Sequence, residues 1–231
     1  MTTHPAEGTS EPMRSAPPLR PPRAAATAAT VLLAICAVIG LLKAAVWLGL
    51  AVVASDGLAP SLPFWLVVVL DGPLSLRLLL VSSAGPVLVW LYQARAFVDL
   101  VSPGGQRWGR PWVFFAWVVP IAWLWIPMQL VGDVLRSSAP APVAPPAVGD
   151  PSRGRPRMTL SDGLVLGWWA AFVLGMSRSV FALVTGGGPA RLGTYAVSTA
   201  LWSAAAGLLI LIIRRTTRFQ GQIVAAGGDR S

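Results

Sequence analysis

The sequence is poor in the residues that most protein chemistry uses. Cys36 is its one cysteine and His4 its one histidine among 231 residues. A lone cysteine inside an apolar run excludes an intramolecular disulfide and a thiolate metal site. A lone histidine in a proline-rich tail offers no imidazole cluster for a metal or for proton transfer. Lys43 is the one lysine, and every other basic residue is an arginine. Charged residues make up only 12% of the chain, against about 25% in a typical soluble domain. Paired carboxylates beside a base are also missing. The sequence therefore offers no catalytic residue, no metal ligand set and no reason to expect a cofactor. It also lacks an aromatic-rich basic domain, so the net charge of +9 points to anionic lipid headgroups and not to nucleic acid.

What the chain does have is apolar length. Hydrophobic residues reach 55%, in runs long enough to cross a bilayer, which takes roughly 20 residues. Residues 1–23 hold six prolines and no hydrophobic periodicity, and are predicted to be a disordered tail. The run 24–54 is too long for a leader peptide and is predicted to be an uncleaved first helix, ended by Ser55-Asp56-Gly57. Residues 61–70 are apolar but short, and Pro63-Phe64-Trp65 suits an interface. Asp71 can cap a second helix that reaches about Ala96 through Pro86. The stretch 111–131 carries Pro120, Pro127, Trp112, Trp117, Trp123 and Trp125. A flexible Pro/Arg-rich loop follows at 137–158. Thr159-Leu160-Ser161-Asp162 is a capping box for a third helix, to about Val184. The last helix is predicted over 194–213, before Arg214, Arg215 and Arg218; the bundle then covers 24–218 and a C-terminal tail covers 219–231.

Charge decides the topology. With four spans and both termini cytoplasmic, Arg14, Arg20, Arg23, Arg95, Arg107, Arg110, Arg136, Arg153, Arg155, Arg157, Arg214, Arg215, Arg218 and Arg230 all lie inside, and only Arg191 lies outside. The alternative, five transmembrane helices, moves the arginines from Arg136 onward outside and erases the positive-inside bias. The fold class predicted is thus an all-α integral membrane bundle of four helices, with 111–131 as a Pro/Trp-rich re-entrant or interfacial segment. The location that goes with it is a bacterial plasma membrane, crossed several times.

Trp90-Leu91-Tyr92-Gln93-Ala94-Arg95-Ala96, then Pro120-Ile121-Ala122-Trp123-Leu124-Trp125-Ile126-Pro127-Met128-Gln129, then Asp133 and Trp168-Trp169 resemble, in order and spacing, the actinobacterial membrane family called domain of unknown function 4328. The resemblance covers about residues 30–222. The family pattern has asparagine where this chain has Val98 and Trp123, so both amides are absent together. The resemblance implies a bacterial integral membrane protein and brings no activity with it.

Charges inside a bilayer cost from about 2.5 kcal/mol upward and invite partners. Lys43, Arg77 and Arg178 fall within spans and form a candidate intramembrane basic cluster, which either binds an anion from the outer side or pairs with Asp56 and Asp71. Lys43 shares a helix face with Cys36, Gly40 and Trp47, and Gly40 with Ala44 forms a small-xxx-small pair. Arg95 and Asp133 are a candidate structural ion pair, and Arg214, Arg215 and Arg218 are candidate lipid contacts. These features suit a non-enzymatic structural or accessory protein that binds lipid, a membrane-protein partner or a second copy of itself. The alternative is a small transporter or channel-like protein with an outward-facing basic pocket.

Overall fold

The computed structural model describes residues 20–57, 76–102, 104, 106–140, 159–176 and 189–228, with the backbone alone for 76–81 and 227–228. The predicted tail before Arg20, the 61–70 segment, Asp71, most of the 137–158 loop and the connection before Pro189 lie outside the described residues. No strand occurs among the described residues.

Helix α1, Arg23–Ser55, coincides with the predicted first span. Gly57, at φ 81°, turns the chain out of it in the left-handed region that glycine enters without steric cost. Its buried side is a seam of Ala26, Ala29, Leu33, Cys36, Gly40, Ala44 and Trp47, spaced by three and four residues. That spacing keeps one stripe facing a neighbouring helix. The neighbour is α6, Pro189–Gly228, and these two form the most extensive helix pair in the molecule. Small residues let the backbones approach closely. A Cβ at Gly40 would overlap Ser203 Oγ on α6. The other side of α1 exposes Val31, Val38, Leu42, Leu48 and Val52.

Helix α2, Leu76–Val101, continues through Pro86 and packs on α1. Helix α5, Leu160–Met176, starts at the predicted capping box: Asp162 N–H donates to Thr159 Oγ1 at 3.2 Å, and Thr159 N–H donates to Asp162 Oδ2 at 3.1 Å. It packs on α6, where a Cβ at Gly175 would overlap the Trp202 ring. Ser198 Oγ, on α6, donates to the Gly175 carbonyl at 2.7 Å.

The Pro/Trp-rich stretch is broken. It comprises α3, Trp112–Phe115, a 3-10 turn at Ala122–Leu124, and α4, Ile126–Ser138. Pro120 and Pro127 have no N–H to give to the carbonyl four residues back, which weakens the helix twice within eight residues; unlike α2 at Pro86, the chain here breaks between α3 and α4. Pro127 instead sits in the first turn of α4, where that loss costs nothing. Trp169 Nε1 donates to the Leu124 carbonyl at 2.7 Å, which satisfies backbone exposed by the break.

Contacts fix which ends lie together. Arg23 at the start of α1 reaches over Gly221 of α6. Gln220 of α6 bonds to Ala94 of α2 and Ser138 of α4. Arg136 of α4 pairs with Asp162 at the start of α5. The starts of α1 and α5 and the later parts of α2 and α6 thus share one end, here the basic end. Helices α1, α2, α5 and α6 alternate in direction. The stretch between α2 and α5 leaves the basic end and returns to it: Gln106 Nε2, before α3, donates to Ser137 Oγ, in the last turn of α4, at 2.8 Å.

Two departures concern α6. It begins at Pro189, before the predicted start at 194, and it runs on to Gly228 instead of ending near Ile213. The region 219–228 is therefore helix and not tail. Gln220 is fully buried there, so the packed bundle extends past the predicted 24–218 boundary.

Candidate functional site

The basic end carries a buried polar network. Arg95 and Asp99 lie one helical turn apart on α2, and Arg95 Nε donates to Asp99 Oδ1 at 3.1 Å. Arg95 Nη2 donates to the Trp108 carbonyl in the loop before α3. The second oxygen of Asp99 accepts from Arg110 Nε at 2.8 Å. One carboxylate thus bridges two guanidinium groups and ties α2 to that loop. Burial pushes the Asp99 carboxyl up, but hydrogen bonds from Arg110 and Arg95 outweigh it and hold it below the ordinary carboxylate value.

A second knot joins α4 to α5. Asp133 is 5% exposed; its Oδ1 accepts from Arg136 Nη2 at 2.6 Å and lies 4.0 Å from Arg107 Nε. Arg136 Nη1 donates to Asp162 Oδ1 at 3.0 Å. Hydrogen bonds from the Thr159 hydroxyl and amide, then from Arg136, hold the Asp162 carboxyl below its ordinary value. Neutral bonds complete the network. Trp108 Nε1 donates to Gln129 Oε1 at 2.9 Å. Gln220 Nε2 donates to the Ala94 carbonyl at 3.1 Å and to Ser138 Oγ at 3.2 Å.

The predicted Arg95–Asp133 pair is not formed. Both residues are buried at the basic end, but each takes a partner close in sequence: Arg95 takes Asp99 four residues on, and Asp133 takes Arg136 three residues on. Pairs at these spacings share a helix face and need no tertiary alignment to meet. Arg95 Nη1 and Asp133 Oδ2 are buried without a protein partner. Sequence reasoning missed Asp99 entirely, although its i+4 spacing from Arg95 was a readable signal. Chemically, the network holds charges still. Every described carboxylate in it is engaged by an arginine, and the Arg136–Asp162 pair ties α4 to α5.

The predicted intramembrane cluster is only partly in view. Lys43 is half-buried at the edge of the α1 seam. The Arg77 side chain and all of Arg178 lie outside the described residues. Near Lys43, the far end of the bundle is aromatic: Trp47 meets Tyr195 edge-on at 5.2 Å, and Arg191 Nε donates to Tyr195 OH at 2.9 Å. The tryptophans, expected as an interfacial belt with some packing, mostly pack. Trp169 is the hub, with Trp168 and Phe172 at 5.4 Å and Trp117 and Trp123 at 6.3 and 6.4 Å.

The three predicted lipid-contact arginines divide. Arg215 lies over the Phe219 ring at 5.4 Å. Arg214 and Arg218 instead line an open groove of about 690 Å³ between α6 and the start of α1, and Arg23 lines its other wall.

The family described as "Domain of unknown function (DUF4328)" matches residues 65–219. That match takes in α2 to α5 and most of α6, and the chain belongs to this family. No curated protein and no solved structure matches the chain.

Proposed function

We propose that this DUF4328 chain is a multi-pass membrane protein of a bacterial plasma membrane, with a non-enzymatic structural or accessory role in holding lipid or a membrane partner. The observation that carries this reading is the Gln106–Ser137 bond, which joins the two ends of the Pro/Trp-rich stretch. Because that stretch returns to the basic end, four alternating helices suffice, and the start of α1, the end of α6 and the described arginines other than Arg77 and Arg191 fall on one side. This is the distribution the positive-inside rule favours for the cytoplasm. Helices α1 and α6 are long and apolar enough to cross a bilayer, and the exposed apolar face of α1 suits acyl chains better than water. The broken segment leaves Phe115, Val118 and Ile121 exposed, apolar side chains beside tryptophans that suit the membrane interface. Ion-paired carboxylates favour a scaffold over an enzyme. The test is accessibility of a cysteine at position 152 in a Cys36→Ala background. An impermeant thiol reagent added to intact cells should leave Ser152→Cys unlabelled, and labelling should appear once the cells are opened. Strong labelling of intact cells would place that loop outside and require five spans.

A further inference from the structure

The groove between α1 and α6 is unlike the rest of the basic end. Arg23 enters it from the first turn of α1, and Arg214 and Arg218, one turn apart, enter from α6. The described ion pairs use Arg95, Arg107, Arg110 and Arg136, and none of these three is among them. Thr27, Thr30 and Thr217 add hydroxyls to the lining. Among the described residues, no acidic side chain lines the groove. Its floor is open because Gly221 carries no side chain; a Cβ there would meet only Arg23 Nη2, at 3.8 Å. Toward the apolar part of the bundle the lining changes to Val31 and Ile213, and the exposed Ile35, Val38 and Leu211 continue beyond it. Three unpaired cations therefore meet a hydrocarbon-facing slope within one groove. That is the profile of a phospholipid: a phosphate, then ester oxygens, then acyl chains.

We propose that this groove binds the phosphate-bearing headgroup of an anionic phospholipid. Arg23, Arg214 and Arg218 hold the phosphate, and the acyl chains lie along the exposed face of α1. The proposal rests on the membrane reading above and assigns it a site. Basic residues near a membrane surface attract anionic lipid at any position. A built site differs in depending on which arginines are present and on the space between them.

Native mass spectrometry of the full chain, released from nanodiscs of mixed dioleoyl-phosphatidylglycerol and dioleoyl-phosphatidylcholine, tests this. The wild type is expected to retain phosphatidylglycerol over phosphatidylcholine by on the order of tenfold. Arg23→Gln with Arg218→Gln should abolish the preference, whereas Arg20→Gln with Arg215→Gln, which removes the same charge, should keep most of it. Gly221→Leu leaves every arginine in place and fills the floor; it should lose the preference too. Equal losses in the two double variants, or full retention in Gly221→Leu, would overturn the site in favour of diffuse attraction. Added glycerol phosphate should not displace the lipid, and displacement would overturn the phospholipid as occupant in favour of a soluble anion. A wild type that resists alkaline carbonate extraction from membranes but shows no preference would sink the site alone. One that carbonate washes off would sink the membrane reading with it.

Discussion

The two ends of the bundle are held by opposite means. At the basic end, α2, α4, α5 and α6 are joined by arginines, carboxylates and amides. Along the α1 and α5 contacts with α6, the helices are joined by the absence of side chains, at Gly40 beneath Ser203 and at Gly175 beneath Trp202. Ion pairs and hydrogen bonds are directional and fix a register. Small-residue contacts fix a distance. The irregular Trp-rich segment needs the first kind, because its broken backbone cannot position itself. The long regular helices rely mainly on the second, helped at Gly175 by the Ser198 hydroxyl on its carbonyl.

The largest expected effect would come from stranding the buried charge at the basic end. Asp99→Leu leaves Arg95, 4% exposed, without its carboxylate, and breaking such a pair costs about 3–5 kcal/mol. Thermal unfolding in mild detergent should show it, and Arg95→Met in the same molecule should recover part of the loss. Strict additivity would mean that the two do not interact. Asp133→Leu should cost clearly less, because the arginines it leaves behind, Arg136 and Arg107, have side chains 46% and 65% exposed and can turn to water.

The next effect belongs to the small-residue contacts. Gly175→Ala drives a methyl into the Trp202 indole and should cost about 1–3 kcal/mol. Gly40→Ala meets only a hydroxyl, so its cost should be smaller, and Ser203→Ala should relieve it. If Gly40→Ala is as damaging with Ser203→Ala as without it, the close approach is not what sets the seam. Thr159→Ala, which removes the capping box of α5, should cost about 1 kcal/mol.

The smallest effect is that of pH, and it separates the two kinds of joint. The Asp99 carboxyl is held below its ordinary value, so its contribution is complete above the unfolded-chain value of about 3.9. It is lost as pH falls from there through the lower folded value. Asp162 behaves in the same sense. Acid should therefore loosen the basic end first. Hydrogen exchange followed as pH falls through the unfolded value of about 3.9 and below should report opening around α4 before the seam of α1. Asp99→Asn should flatten that response, and opening of the α1 seam first would contradict the division.

The sequence announces whatever depends on local patterning. The bounds of α1, the Thr159–Asp162 box, the break at Pro120 and Pro127 and the small-residue face at Gly40 follow from spacing and residue type. Arg95 pairs with Asp99 and not with Asp133 because Asp99, one turn away on the same helix, reaches the guanidinium without tertiary alignment. The extension of α6 escaped notice because hydropathy falls at Arg214. Arginine is a good helix former, so the helix runs on, and Gln220 is buried against the Ala94 carbonyl and Ser138, partners that only the tertiary structure supplies. Arg23 was read as a topology signal. That it faces Arg218 across a groove depends on the antiparallel pairing of α1 with α6, which no local pattern records.

Helix α6 has 40 residues, about 60 Å at ~1.5 Å each, roughly twice what the hydrocarbon of a bilayer requires. No proline interrupts it after Pro189. It is therefore a single stiff rod touching both kinds of joint, with Tyr195 in the aromatic cluster at one end and Gln220 in the polar network at the other. A rod without a hinge turns any axial push into equal travel at both ends. Tyr195 and Gln220, 25 residues and about 37 Å apart, are thus joined by one helix with no proline kink between them.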